Sequence, residues 1–197
     1  SWTALTLANA YTSPIVVCSN ERTTPPTTTR VTISGSTVQV VLTAGLPAGS
    51  ANPSLTSTVH CMIAEEGVYT EGAHGVKMEA VSFTSTAVAK KNSWTLESNS
   101  YQNSYSSPVV VAQVASAGDF TSFGATVPFT FQAAWTAGSS RTSPPTSGSL
   151  SVGRHCGELA NTGAGDETVH YIVIESGSAT LGSLQVHAGV SSDYIEG

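Results

Sequence analysis

Five side chains capable of acid–base or metal chemistry crowd one stretch of the second half of the chain: His155, Glu158, Asp166, Glu167 and His170. Imidazoles and carboxylates are what a metal ion or a general acid/base pair requires. His155, Glu158, Asp166 and His170 are therefore the candidate ligands, and metal-assisted hydrolysis is the chemistry they would serve. Their spacing matches neither a zinc nor an EF-hand calcium pattern. A second Thr-Val-His run, at His60, lacks this neighbourhood altogether. A histidine recurring in such a run reads more simply as framework, bonding a turn or shielding a strand end, and no cofactor is expected. Glu65 and Glu175 each stand two residues before a glycine. Paired carboxylates about 5 to 10 Å apart cleave glycosidic bonds, but one carboxylate in each half reads as a turn cap. No Gly-x-Ser-x-Gly elbow or phosphate-cradling loop is present, and the chain is not expected to be an enzyme.

The aromatic residues offer a different chemistry, since an exposed ring stacks on a sugar whereas a buried one plugs a sandwich. Trp2 and Trp94 stand in similar surroundings, which favours the plug. Tyr101, Asn103 and Tyr105 form a polar aromatic strip, the candidate contact for a glycan or another subunit.

The elements that must carry these residues are strands. Val31 and Ile33 alternate, as do Val38, Val40 and Leu42, then Val59, Cys61 and Ile63, then Val76, Met78 and Ala80. The second half repeats the habit in Val127 to Trp135, in Leu150 and Val152, and in Val169, Tyr171 and Val173. Period-two alternation directs each set to one sheet face. Between the sets lie Pro-, Gly- and Ser-rich loops.

The halves also resemble each other. Trp2-Thr3 followed by Tyr11 to Val17 matches Trp94-Thr95 followed by Tyr105 to Val111, and Leu42 to Gly45 matches Trp135 to Gly138. Thr58-Val59-His60 with Glu65 and Gly67 matches Thr168-Val169-His170 with Glu175 and Gly177, at an offset lengthened by about 17 residues. An internal duplication is the reading. It predicts an all-β protein of two tandem antiparallel β-sandwich modules, residues 1–89 and 94–197, the second with an insertion around 139–158.

Several of these residues carry a family likeness: Trp2, Tyr11 to Val17, Arg30-Val31-Thr32-Ile33 and Thr58 to Gly67, then Val152 to Glu158 followed by Asp166 to Glu175. The order resembles the H-type-lectin-like β-sandwich modules that recur in large secreted and cell-surface proteins. The resemblance covers most of both halves. It implies a sandwich fold and framework positions rather than a catalytic centre.

Composition narrows the partners. Of the 197 residues 10% are charged, the net charge is −6, and Ser and Thr together number 55. Seven basic residues, clustered nowhere beyond Lys90-Lys91, cannot neutralise a run of phosphates, so nucleic acid is excluded as a partner. The longest apolar runs are far below the roughly 20 residues that span a bilayer, so the chain is not expected to span a membrane. The start at Ser1 suggests a processed chain or a fragment of a longer one. Cys18, Cys61 and Cys156 permit either one disulfide or three buried thiols. Cys18 with Cys61 is the favoured bridge, because both lie on predicted strands of one half. The few lysines leave sheet edges unprotected, so assembly through edges, or through residues 1–10 as an added strand, is expected.

The reading is an extracellular or cell-surface structural or adhesive protein, a segment or subunit of a filamentous assembly whose partners are copies of itself or other surface proteins. A carbohydrate-binding, lectin-like module with glycan partners is the alternative, and the metal-assisted hydrolase stands third.

Overall fold

The computed structural model describes residues 2–24, 27–35, 37–44, 55–90, 93–118, 132–157 and 165–191. Among them are fifteen strands and one short helix, an all-β fold of several mainly antiparallel sheets. The first half supplies β1 (Thr3–Leu5), β2 (Pro14–Asn20), β3 (Thr27–Ser34), β4 (Thr37–Ala44) and β5 (Val59–Glu65). β1, β4 and β3 form one sheet in the order β1-β4-β3, and β2 pairs with β5. The alternating Val31, Val38 and Val40 of the first sheet meet Val16 and Cys18 of the second in a buried cluster, as their period-two spacing demands. Cys18 and Cys61, cross-strand partners on β2 and β5, form a disulfide with Cα atoms 4.1 Å apart. Cys156 is buried elsewhere.

The chain continues through β6 (Gly67–Tyr69), α1 (Glu71–His74), β7 (Met78–Ser85), β8 (Val88–Ala89), β9 (Ser98–Asn99), β10 (Pro108–Val114), β11 (Ala133–Ala137), β12 (Leu150–His155), β13 (Glu167–Glu175), β14 (Gly177–Leu181) and β15 (Leu184–Ala188). One sheet runs β10-β13-β7-β6, a second runs β11-β12-β8 with β9 also on β12, and β14 pairs with β15. Val169, Tyr171 and Val173 on one face of β13 pack with Tyr105, Leu150 and Val152. Ile172 and Ile174 on the other face pack with Ile15, Val76, Met78 and Ala188. β13 is thus apolar on both faces, which accounts for its nearly unbroken hydrophobic sequence.

Strand pairing departs from the expected division at residues 90–93. β7, from the first half, lies hydrogen-bonded between β6 and β13, and β8 runs parallel to β12, so the sheets are shared across that boundary. The cause is β13 itself: a central strand buried on both faces needs ladder partners on both edges, and β7 supplies the second. Lys90 and Ser93 exchange reciprocal backbone hydrogen bonds at that boundary. Residues 150–155, expected within an insertion, are the central strand β12. It takes in the order β9-β12-β11 the place that β4 takes in β1-β4-β3. The N-terminal segment is likewise used within the chain, where Thr3 to Leu5 pair with Val40 to Val38.

The two halves nevertheless share one register. Pro14 opposes Glu65 and Ser19 opposes His60 in β2–β5, while Pro108 opposes Glu175 and Gln113 opposes His170 in β10–β13. Close approach requires glycine at Gly138, where a Cβ would stand 2.3 Å from the Pro144 carbonyl oxygen, and at two further positions. A Cβ on Gly75, at φ 75°, would stand 2.0 Å from the Thr180 carbonyl oxygen, and one on Gly153 would stand 2.6 Å from the Trp135 ring. Gly153→Ala is accordingly expected to displace the indole and to cost about 1–3 kcal/mol of stability, measured by urea unfolding, with a changed tryptophan fluorescence.

Candidate functional site

The polar groups gather where β2 lies across the β10–β13 sheet. β2 has β5 on one side, so the N–H groups of Val16 and Cys18 on its other edge need acceptors. Two neighbouring side chains provide them: Val16 N–H donates to His170 Nδ1 at 3.0 Å, and Cys18 N–H donates to Gln113 Oε1 at 3.2 Å. Gln113 Nε2 donates to the Thr29 carbonyl at 2.8 Å, and the Thr29 hydroxyl donates to the Cys18 carbonyl at 2.8 Å. Side chains thus replace a third strand along this edge.

Next to them is a buried ion pair. Arg30 of β3 reaches Glu167 of β13 at 2.8 Å, with both side chains fully buried. Arg30 Nε donates to the Ser116 carbonyl at 2.8 Å. Glu167 also accepts from the Ser116 hydroxyl and from Gly118 N–H. A buried carboxylate requires such a set of donors, because desolvation of the charge is otherwise uncompensated.

His170 is 4% exposed. Its Nδ1 accepts a hydrogen bond, so the ring is the neutral tautomer with its proton on Nε2. Burial pushes its pKa from the ordinary 6.5 down to about 4, against a smaller opposing effect of the Val16 bond. The unfolded chain then binds the extra proton first, so this contribution to stability is whole above pH 6.5 and is lost as pH falls towards 4. The loss is expected to approach about 3 kcal/mol. In a series of urea melts, His170→Gln, which keeps an acceptor for Val16, should flatten this limb, and an unchanged limb would contradict the assignment.

Of the predicted metal residues, three are described, and they do not form a cluster. His155 ends β12, where its Nδ1 accepts from Gly157 N–H at 2.8 Å and its ring lies 4.7 Å from that of Trp94. His170 faces β2, Asp166 is exposed ahead of β13, and Glu158 lies outside the described residues. Among the described residues no three His, Cys, Asp or Glu side chains gather as a metal site.

Tyr101, Asn103 and Tyr105 are brought together, but facing inward. The tyrosine rings meet edge to face at 5.2 Å, and Tyr105 belongs to the core. Asn103 Nδ2 donates to the carbonyls of Tyr69 and Met78, and the N–H groups of Gln102 and Asn103 donate to the buried Glu79. Burial, with Glu79 adding to it, pushes the Tyr101 hydroxyl up to about 12. The strip clamps a strand end.

Glu65 and Glu175 are matching turn caps. Glu65 accepts from Thr12 and Ser13 N–H, and Glu175 accepts from Ser106 and Ser107 N–H. Burial alone would raise the Glu175 pKa, but those two N–H groups together with Lys77 hold it below the ordinary value.

Arg30, Gln113 and Glu167 were not anticipated as partners. The available signal was a charged residue placed inside an apolar alternation, as Arg30 is before Val31 and Ile33. Two open clefts flank the joint. One of about 530 Å³ is bordered by Ser13, Thr32, Glu66 and His170, and one of about 570 Å³ by Ser19, His60, Met62 and Val111. No protein-family model, curated protein or solved structure matches the chain.

Proposed function

We propose that this chain is a structural or adhesive unit of an extracellular or cell-surface assembly, built from two H-type-lectin-like halves related by duplication, whose sheets share strands across the boundary. The observation that carries the reading is the joint between the halves. The polar residues with the most chemical potential, His170, Gln113, Arg30 and Glu167, hold β2 and β3 against β10 and β13. A unit fixed in this way transmits position and load and leaves no side chain of that cluster available for turnover. The Cys18–Cys61 bridge is compatible with an oxidising exterior.

The test is mechanical. A chain tethered through its ends and stretched should resist until the joint and the sandwiches rupture together. Extension at low force, with the halves separating before either unfolds, would refute the reading. Carbohydrate binding is the second reading, and one observation favours it: Trp94 is 39% exposed, with its ring against both Trp135 and His155. Saturable retention on a glycan array, lost in Trp94→Ala, would establish it. A structural unit shows none.

A further inference from the structure

The shared register gives the joint a counterpart that no other strand covers among the described residues. In the occupied joint, the edge of β2 lies on the face made by Gln113, His170 and Ile172, and Gln113 and His170 are 3% and 4% exposed. The same register places Ser19, His60 and Met62 on the corresponding face of β2–β5. There Ser19 and His60 are exposed, and Met62 is 36% exposed. The edge is duplicated too. Glu66 N–H donates to the Ser13 carbonyl and Ser176 N–H to the Ser107 carbonyl, so the two ladders have the same hydrogen-bonding phase. Val110 and Ala112 therefore direct their N–H groups away from β13 as Val16 and Cys18 direct theirs away from β5. Among the described residues, β13 is the only strand paired with β10. Val111, between these two, is 42% exposed. Face and edge border one cleft of about 570 Å³, whose lining includes Ser19, His60, Met62, Val111 and Ala112.

We propose that this cleft is the docking site for a second copy of the chain, whose β10 edge lies on the Ser19–His60–Met62 face as β2 lies on the Gln113–His170–Ile172 face. His60 would accept from Val110 N–H of the incoming copy, and Ser19 from its Ala112 N–H. Met62 would take the apolar place that Ile172 holds in the joint within the chain. The contact joins one face to one different edge, and both border the same cleft of each copy. The inference rests on the reading of the chain as an assembling structural unit.

Sedimentation velocity and light scattering of the whole chain, from micromolar to near-millimolar concentration, test it. The expected result is concentration-dependent association. Met62→Glu spoils the face, and Ala112→Pro removes one outward N–H while leaving the ladder to β13 intact. Each variant alone should stay monomeric with unchanged circular dichroism, and an equimolar mixture should form one-to-one dimers, since one retains the edge and the other the face. His60→Ala, which removes only an acceptor from an exposed position, should weaken association of the otherwise native chain by about tenfold. Association of the variants at wild-type strength would overturn the proposed contact while leaving the assembly reading in place. A wild-type chain monomeric throughout would overturn both.

Discussion

Replacing Arg30 by methionine should lower the stability of the folded chain by about 3–5 kcal/mol, the largest effect expected from a single side chain here. Methionine keeps much of the aliphatic volume but removes the guanidinium, leaving Glu167 as a fully buried charge that has lost its ion-pair partner, with Ser116 and Gly118 among its other donors. At this chain length such a loss lowers the melting temperature by roughly 10 °C, at about 2–4 °C per kcal/mol. Lysine should not rescue it, since Arg30 uses separate nitrogens for Glu167 and for the Ser116 carbonyl, and one ammonium cannot reproduce that planar fork. Arg30→Met combined with Glu167→Leu should recover most of the loss, because removing both charges removes the desolvation cost as well. Urea midpoints of the two single variants and the double variant measure the coupling. A single variant within 1 kcal/mol of wild type would mean that solvent reaches Glu167.

Removing the disulfide should cost a similar amount. Cys18 and Cys61 are 43 residues apart, and in the chain-entropy model a loop of that length restricts the unfolded ensemble by about 4 kcal/mol. The loop contains β3 and β4, so the bridge also ties Arg30 to the strand whose edge His170 caps. Cys18→Ala with Cys61→Ala should lower the urea midpoint as much as adding reductant to the wild-type chain, and reductant should not change the variant. Cys156 should not disturb the measurement: burial pushes its thiol pKa up, and thiolate is the species that exchanges. Equal midpoints with and without the bridge would show that the unfolded chain is already compact around it.

Much of this structure is local and was legible as pattern. Period-two alternation is a property of a few successive residues, so Val31 with Ile33, Val38 with Val40, and Val169 with Tyr171 and Val173 identified strands and their buried faces without reference to anything distant. The bridge between Cys18 and Cys61 followed from two cysteines on strands of one half. The likeness of Pro14 to Pro108 and of Glu65 to Glu175 appeared as spacing and returned as a common register with common turn caps. Which strand pairs with which was not legible. Alternation assigns a face but not a neighbour, and β7, from the first half, pairs with β13 of the second. Residues 150–155 looked inserted because spacing alone aligned Trp135 with Leu42, while the ladder gives β12 the place of β4. His60 and His170 stand in the same sequence context, yet one is exposed and the other is buried and neutral. Only tertiary structure decides that, since it brings the edge of β2 against one of them and leaves the other open, and burial rather than residue type sets the charge of an imidazole.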